Sequence, residues 1–201
     1  MTAPPLTSTR RHALRCLLAA ACAPLPLAVA AAAPELPGDS IYQLRPPLTD
    51  QNGQPFELAT LRGDPALVSM FYSSCEMVCP MIFETIAMTV KALAPAQRDR
   101  VKVLMISFDP ARDTVAVLKR TAEAHQCDRR WTLARTGEAE ARKVAAVLGV
   151  QYRRLASGEF NHSSTIEMLD AQGRIAARTG MLGTVDPGML RALQLALAKS
   201  A

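Results

Sequence analysis

Two cysteines four residues apart, Cys75 and Cys79, stand just before a proline in the run Tyr72-Ser73-Ser74-Cys75-Glu76-Met77-Val78-Cys79-Pro80. A thiolate is both the nucleophile of disulfide exchange and a soft metal ligand. On a helix, residues four apart have Cα atoms roughly 6 Å apart, from a 1.5 Å rise and 3.6 residues per turn. That lies inside the ~4.4–6.8 Å that a disulfide tolerates. The same pair can therefore close as a disulfide or open to hold one soft ion such as Cu(I) or zinc. A purely structural bridge is the remaining reading, but so short a loop removes little entropy from the unfolded chain.

Copper and zinc also accept imidazole. The chain has three histidines. His12 lies in an amino-terminal basic patch and His125 in a charged helix. His162 follows Gly158-Glu159-Phe160-Asn161 and is expected to open a strand. On spacing alone it is a weak third ligand, since a lone histidine is more often solvated or hydrogen-bonded. Cys127 reads as a small half-buried residue. Met77 and Met81 carry thioethers that could bind a soft metal, but read first as packing residues.

These groups need elements to position them. Ala66 to Tyr72 is an apolar run, the pattern of a strand buried on both faces, and Pro80 to Leu93 follows at helical period. Pro80 lacks an N–H and clashes with a preceding turn, so the cysteine motif must lie in or just before the first helical turn. There the free N–H groups and the helix dipole favour thiolate over thiol. That strand end is also where ligands bind in an open α/β sheet.

The alternation continues. Val101 to Phe108 is a second buried strand, Asp113 or Thr114 caps a helix to about His125, and Trp131 to Leu133 is a third strand. Thr136 caps a helix that Gly149 stops, and Val150 to Arg154 and Ser164 to Leu169 are further strands. Asp170-Ala171-Gln172-Gly173 turns into Arg174 to Ala177, and Asp186-Pro187 begins the last helix. Ahead of them, Leu48 to Leu58 reads as a hairpin turning at Asn52-Gly53. The result is a mixed α/β domain with one core.

Five cysteines and a net charge of +5 need the amino terminus taken into account. Arg10, Arg11 and Arg15 are the only charges before Glu35; without them 20 basic residues face 18 acidic ones. That balance, with no dense Lys/Arg run, excludes a nucleic-acid footprint. A basic patch followed by an apolar stretch ending in Ala28-Val29-Ala30-Ala31-Ala32-Ala33 reads as a cleavable signal peptide over residues 1–33, with a partial twin-arginine pattern. Pro24 and Pro26 interrupt it short of the ~20 apolar residues of a span, which favours cleavage over a retained anchor. Residues 34–47 are a Pro-rich lead-in and 48–201 the domain, expected to be exported to the periplasm. Cys16 and Cys22 go with the signal. The remaining three cysteines are too few for a disulfide framework and suit a working pair plus one.

The ordered motifs resemble those of the Sco/SenC family. Cys75-x-x-x-Cys79-Pro80 is followed by Ile106-Ser107-Phe108-Asp109-Pro110-Ala111-Arg112-Asp113-Thr114 and by Trp131-Thr132-Leu133 with Thr136-Gly137. His162-Ser163-Ser164 then leads into Leu169-Asp170-x-x-Gly173. The resemblance runs from about residue 48 to residue 198. It implies a thioredoxin-like α/β fold, a central mixed sheet flanked by helices with an amino-terminal β-hairpin. It also implies a copper metallochaperone for the dinuclear copper centre of cytochrome c oxidase. Cys75 and Cys79 match the family's thiolate ligands for one copper ion and His162 its imidazole ligand. The implied partners are the oxidase subunit carrying that centre, a periplasmic thiol reductant and other copper chaperones. The Asp109-to-Asp113 segment is expected to shape the neighbouring loop.

Three departures stand out: Glu76 where many relatives carry Pro, Asn161 where Asp is common, and a cleavable signal in place of a membrane anchor. The alternative function is a thiol–disulfide oxidoreductase that keeps a client's copper-ligand cysteines reduced. Cys75 would then be the nucleophile, Cys79 the resolving thiol and His162 dispensable.

Overall fold

The computed structural model describes residues 1–2 and 35–200, so the expected signal peptide lies almost wholly outside the described residues. Among the described residues no helix is long and apolar enough to cross a membrane.

The domain from Glu35 onward opens with a 3-10 turn, Ile41–Gln43, and a short hairpin of β1 (Leu48–Asp50) and β2 (Pro55–Phe56). Gly53 takes φ +78° at its turn, as the Asn-Gly pair requires. There follow β3 (Ala66–Phe71), α1 (Val78–Lys91), α2 (Pro95–Arg98), β4 (Lys102–Ser107), α3 (Val115–Ala124) and β5 (Trp131–Arg135). After α4 (Glu138–Leu148) come β6 (Tyr152–Arg154), β7 (Phe160–His162), β8 (Ile166–Leu169), β9 (Ile175–Thr179) and α5 (Pro187–Lys199).

Seven strands form one sheet in the order β2-β1-β5-β4-β3-β8-β9. β3, β4 and β5 run parallel, while β8 and β9 are antiparallel additions on the other side of β3. The segment β4-β3-β8-β9 with α1 between β3 and β4 is the thioredoxin-like arrangement. All six residues of β3 are buried, because a central strand covered by helices has no solvent face. Apart from this sheet, β6 and β7 pair only with each other as an antiparallel ribbon.

Several sequence expectations shift. The lead-in is docked from Ser40 on. Ser40 Oγ donates to the Gln172 carbonyl at 2.5 Å, Ile41 N to Gly173 O at 2.9 Å, and Ile41 and Tyr42 are buried. Gly173 sits at φ +83°, and a Cβ there would meet the Tyr42 ring at 2.6 Å, so this turn and the lead-in require a glycine of each other. Of the two cap candidates for α3, Thr114 is the cap, accepting from Val117 N. Thr136 does not cap α4; Gly137 does, and the Thr136 hydroxyl donates to Pro47 O at 3.0 Å. Gly149 ends α4 in the left-handed region as expected. His162 closes a strand rather than opening one.

Candidate metal centre

Cys75, Cys79 and His162 meet where β3 ends. Their ligand atoms all lie within 4.8 Å of one another, and among the described residues this is the one cluster of at least three His, Cys, Asp or Glu side chains so arranged. β3 delivers the chain to Tyr72, and α1 starts at Val78, two residues before Pro80. Pro80 is thus the third helical residue, where an N–H would have no intrahelical partner, and costs the helix nothing. Cys79 N donates to Cys75 Sγ at 3.4 Å.

The two thiols sit in different surroundings. Cys75 is half-buried and Cys79 buried. Burial pushes Cys75 up, but N–H groups of Cys79, Met77 and Val78 more than offset it, leaving Cys75 below the usual thiol range. Burial pushes Cys79 far up, and the nearby Cys75 charge adds to this. Desolvation lifts the Tyr72 hydroxyl as well, with Cys75 beside it.

His162 arrives from the β6–β7 ribbon. Its Nδ1 lies 3.0 Å from Ser163 O; a carbonyl can only accept, so Nδ1 carries the proton and the Nε2 lone pair is available. Two aromatic rings pack on the imidazole, and two more back them. Tyr72 meets it edge-on at 5.7 Å between centroids and Phe108 at 5.2 Å. Phe160 and Tyr152 pack on Phe108 in turn, at 5.1 and 4.7 Å. Beside the ring, Gln151, Tyr152, Arg153, Asn161, His162 and Ser163 line an open depression of about 570 Å³.

The Asp109-to-Asp113 loop ties the two halves together. The buried Asp113 carboxylate accepts from Ser73 N at 3.2 Å, from the Ser73 hydroxyl, and from Ser107 Oγ at 2.5 Å. It therefore fixes the stretch immediately before Cys75. Arg112 donates to Ser74 Oγ at 3.0 Å with one nitrogen and to Gly158 O, in the β6–β7 turn, with another. Asp109 steadies Arg112 from behind at 3.4 Å. Arg135 donates to the carbonyls of Asp113 and Pro110 at 2.7 and 2.9 Å.

Ser73, Ser107 and Arg135 were not singled out by sequence reasoning. A serine before the cysteine motif and an arginine in a strand have no signature until topology brings them together. His125 and Cys127 stay outside the site. The His125 ring stacks on Phe83 at 4.0 Å, and burial lowers its pKa. Burial, helped by Asp128, pushes the Cys127 thiol up to about 12. Met77 and Met81, read as packing residues, are instead 76% and 39% exposed.

Two sulfurs and an imidazole nitrogen suit a soft or borderline metal. A point central to three atoms at most 4.8 Å apart is reached by metal–sulfur and metal–nitrogen bonds of roughly 2.0–2.3 Å after side-chain shifts of about half an ångström.

A family model described as SCO1/SenC matches residues 41–192. The chain belongs to the SCO1/SenC family. Protein SCO2, mitochondrial, of Saccharomyces cerevisiae is 36% identical over 72 residues, 36% of this chain and 24% of the yeast protein. A SCO2-like protein of Rickettsia prowazekii is 31% identical over 134 residues, 63% of either chain. This SCO1/SenC chain thus matches between a quarter and just under two thirds of the length of these relatives. The structure of Bradyrhizobium japonicum ScoI with copper bound superposes with a TM-score of 0.63 at 26% identity, over 77% of this chain and 96% of that one. The shared fold is the thioredoxin-like one.

Proposed function

We propose that this protein is a copper metallochaperone. It binds one copper ion through the Cys75 and Cys79 thiolates and the His162 imidazole, and delivers it during assembly of the dinuclear copper centre of cytochrome c oxidase. The observation that carries this is the convergence of those three ligand atoms, from two separate supersecondary units, within 4.8 Å of one another. A ScoI structure with copper bound and the same fold supports the choice of metal.

Copper is the cargo, so the site must both hold and release it. Three ligands beyond the end of β3 leave positions for a client's donors, and His162 sits on a ribbon that can yield without disturbing the sheet. The depression beside His162, with Arg153 and Asn161 on its wall, is where a client subunit's copper-ligand loop would approach. Loading needs both thiols reduced, which makes a thiol reductant of the receiving compartment, the periplasm, a required partner.

The asymmetry of the thiols favours a second reading, a thiol–disulfide reductase. Cys75, accessible and held toward thiolate, would attack the client disulfide, and buried Cys79 would resolve the mixed disulfide. Two electrons pass from the cysteine pair to the client, whose leaving thiolate takes up a proton.

Anaerobic Cu(I) titration of the reduced chain against a chromogenic competitor separates the two. The chaperone reading expects one tight equivalent, weakened in His162→Ala and abolished by losing either cysteine. Disulfide turnover without competitive copper binding would leave the reductase.

A further inference from the structure

Eight of the nine methionines fall in the described domain, and they divide sharply. Met70, Met105, Met168 and Met189 are at most 3% exposed, as core residues should be, and Met88 is half-buried on α1. Met77, Met81 and Met181 are 76%, 39% and 49% exposed. All three lie at the end of the sheet that carries the copper ligands. Met77 stands between Cys75 and Cys79, and Met81 follows it by four residues, one turn up α1. Met181 is the second residue of the loop after β9. Ile166 pairs with Thr179 and β8 runs antiparallel to β3, so this loop emerges at the end where β3 releases the cysteines. It packs directly on α1: Gly183 N donates to Thr85 Oγ1 at 2.8 Å, and the Met81 methyl lies 3.6 Å from where a Gly183 Cβ would be.

Solvent-exposed methionine is costly apolar surface, yet a thioether is a soft, neutral donor that selects Cu(I) over harder ions. Thioethers bind less tightly than thiolates and have no proton to lose. We propose that Met77, Met81 and Met181 form a second, weaker site for monovalent copper on the rim of the Cys75–Cys79–His162 group. It rests on the copper reading above. An ion held there would pass inward by ligand exchange: bonds to thioether sulfur break as bonds to the two thiolates form, the thiol protons leave to solvent, and copper stays Cu(I).

The test uses the full chain, reduced and anaerobic, with its methionine methyl groups carrying carbon-13 for NMR. After one equivalent of Cu(I) has filled the thiolate site, a second should shift the methyl signals of Met77, Met81 and Met181 together. Those of Met70, Met105, Met168 and Met189 should stay still. Met77→Leu/Met81→Leu/Met181→Leu keeps the volume and removes the sulfur. It should weaken the second equivalent at least tenfold and leave the first unchanged. A second equivalent that moves none of the three methyls, or is indifferent to the leucines, overturns the rim site. Loss of the first equivalent in the unaltered chain would instead overturn the chaperone reading.

Discussion

The site is assembled from two limbs that are held in opposite ways. The cysteine limb grows out of β3, with all six residues buried and both edges paired, and continues into a 14-residue helix. The histidine limb is a two-stranded ribbon of three residues a side that pairs with nothing else. It is fixed by side chains: the aromatic packing of Phe108 and Tyr72, the Arg112 bridge, and the Thr165 carbonyl, which accepts from Ser69 Oγ on β3 at 2.6 Å. A limb built on the central sheet cannot move without unfolding, whereas one held by a few contacts can shift by breaking them. The thiolates are therefore the constant part of the site and the imidazole the adjustable one, an order that suits the proposed delivery of copper.

Asp113→Ala attacks the rigid limb and should have the largest effect. It leaves the Ser73 N–H and the Ser73 and Ser107 hydroxyls without their buried acceptor. At roughly 1–3 kcal/mol for each unsatisfied buried group, with relaxation, a loss of about 3 kcal/mol is expected in urea unfolding. A change under about 0.5 kcal/mol, the usual range for surface positions, would mean that the cysteine limb is not anchored there.

Gly158→Ala attacks the adjustable limb. Gly158 sits at φ +88°, and a Cβ would come 2.7 Å from an Arg112 nitrogen, so alanine strains the turn and pushes the bridge away. The stability cost should be about 1 kcal/mol. Copper affinity should fall several-fold, an effect that adds little to His162→Ala in the double variant. A full-sized loss on top of His162→Ala would show that Gly158 acts on the thiolates instead.

The same contrast decides what could be read in advance. Hydrophobic runs give away β3, β4 and the inner face of α1, because a buried strand or an amphipathic helix writes its period into the chain. The start of α1, two residues before Pro80, and its counterpart, the stop of α4 at Gly149, follow from local chemistry. Cys75 and Cys79 were legible as a pair, being four residues apart. His162 was not legible as their partner by spacing, since 83 residues separate it from Cys79 and only the family resemblance joined them. The ribbon around it was misjudged because three-residue strands carry no period. The roles of Thr136 and of Met77 and Met81 were misread for a related reason: capping and exposure are settled by neighbours from distant parts of the chain.

The smallest expected effect lies where the adjustable limb joins the sheet. Glu167 on β8 is fully buried, accepting from Thr165 Oγ1 at 2.7 Å and Arg178 Nε at 3.0 Å. Its Oε2 has no hydrogen-bond partner among the described residues. Burial raises its pKa, and the hydroxyl and guanidinium donors only partly oppose this. The folded chain therefore holds the Glu167 proton more tightly than the unfolded chain, whose glutamate titrates near ~4.3. Stability from this group is complete below that value and drains away as pH rises from there through the raised folded value. Glu167→Gln cannot ionise. Urea midpoints from pH 4 to pH 7 should fall in the parent relative to the variant, with the gap closing toward pH 4. A pH-independent gap would mean that Arg178 neutralises the carboxylate fully. The strand that carries the histidine limb into the sheet would then be as firmly seated as the one that carries the cysteines.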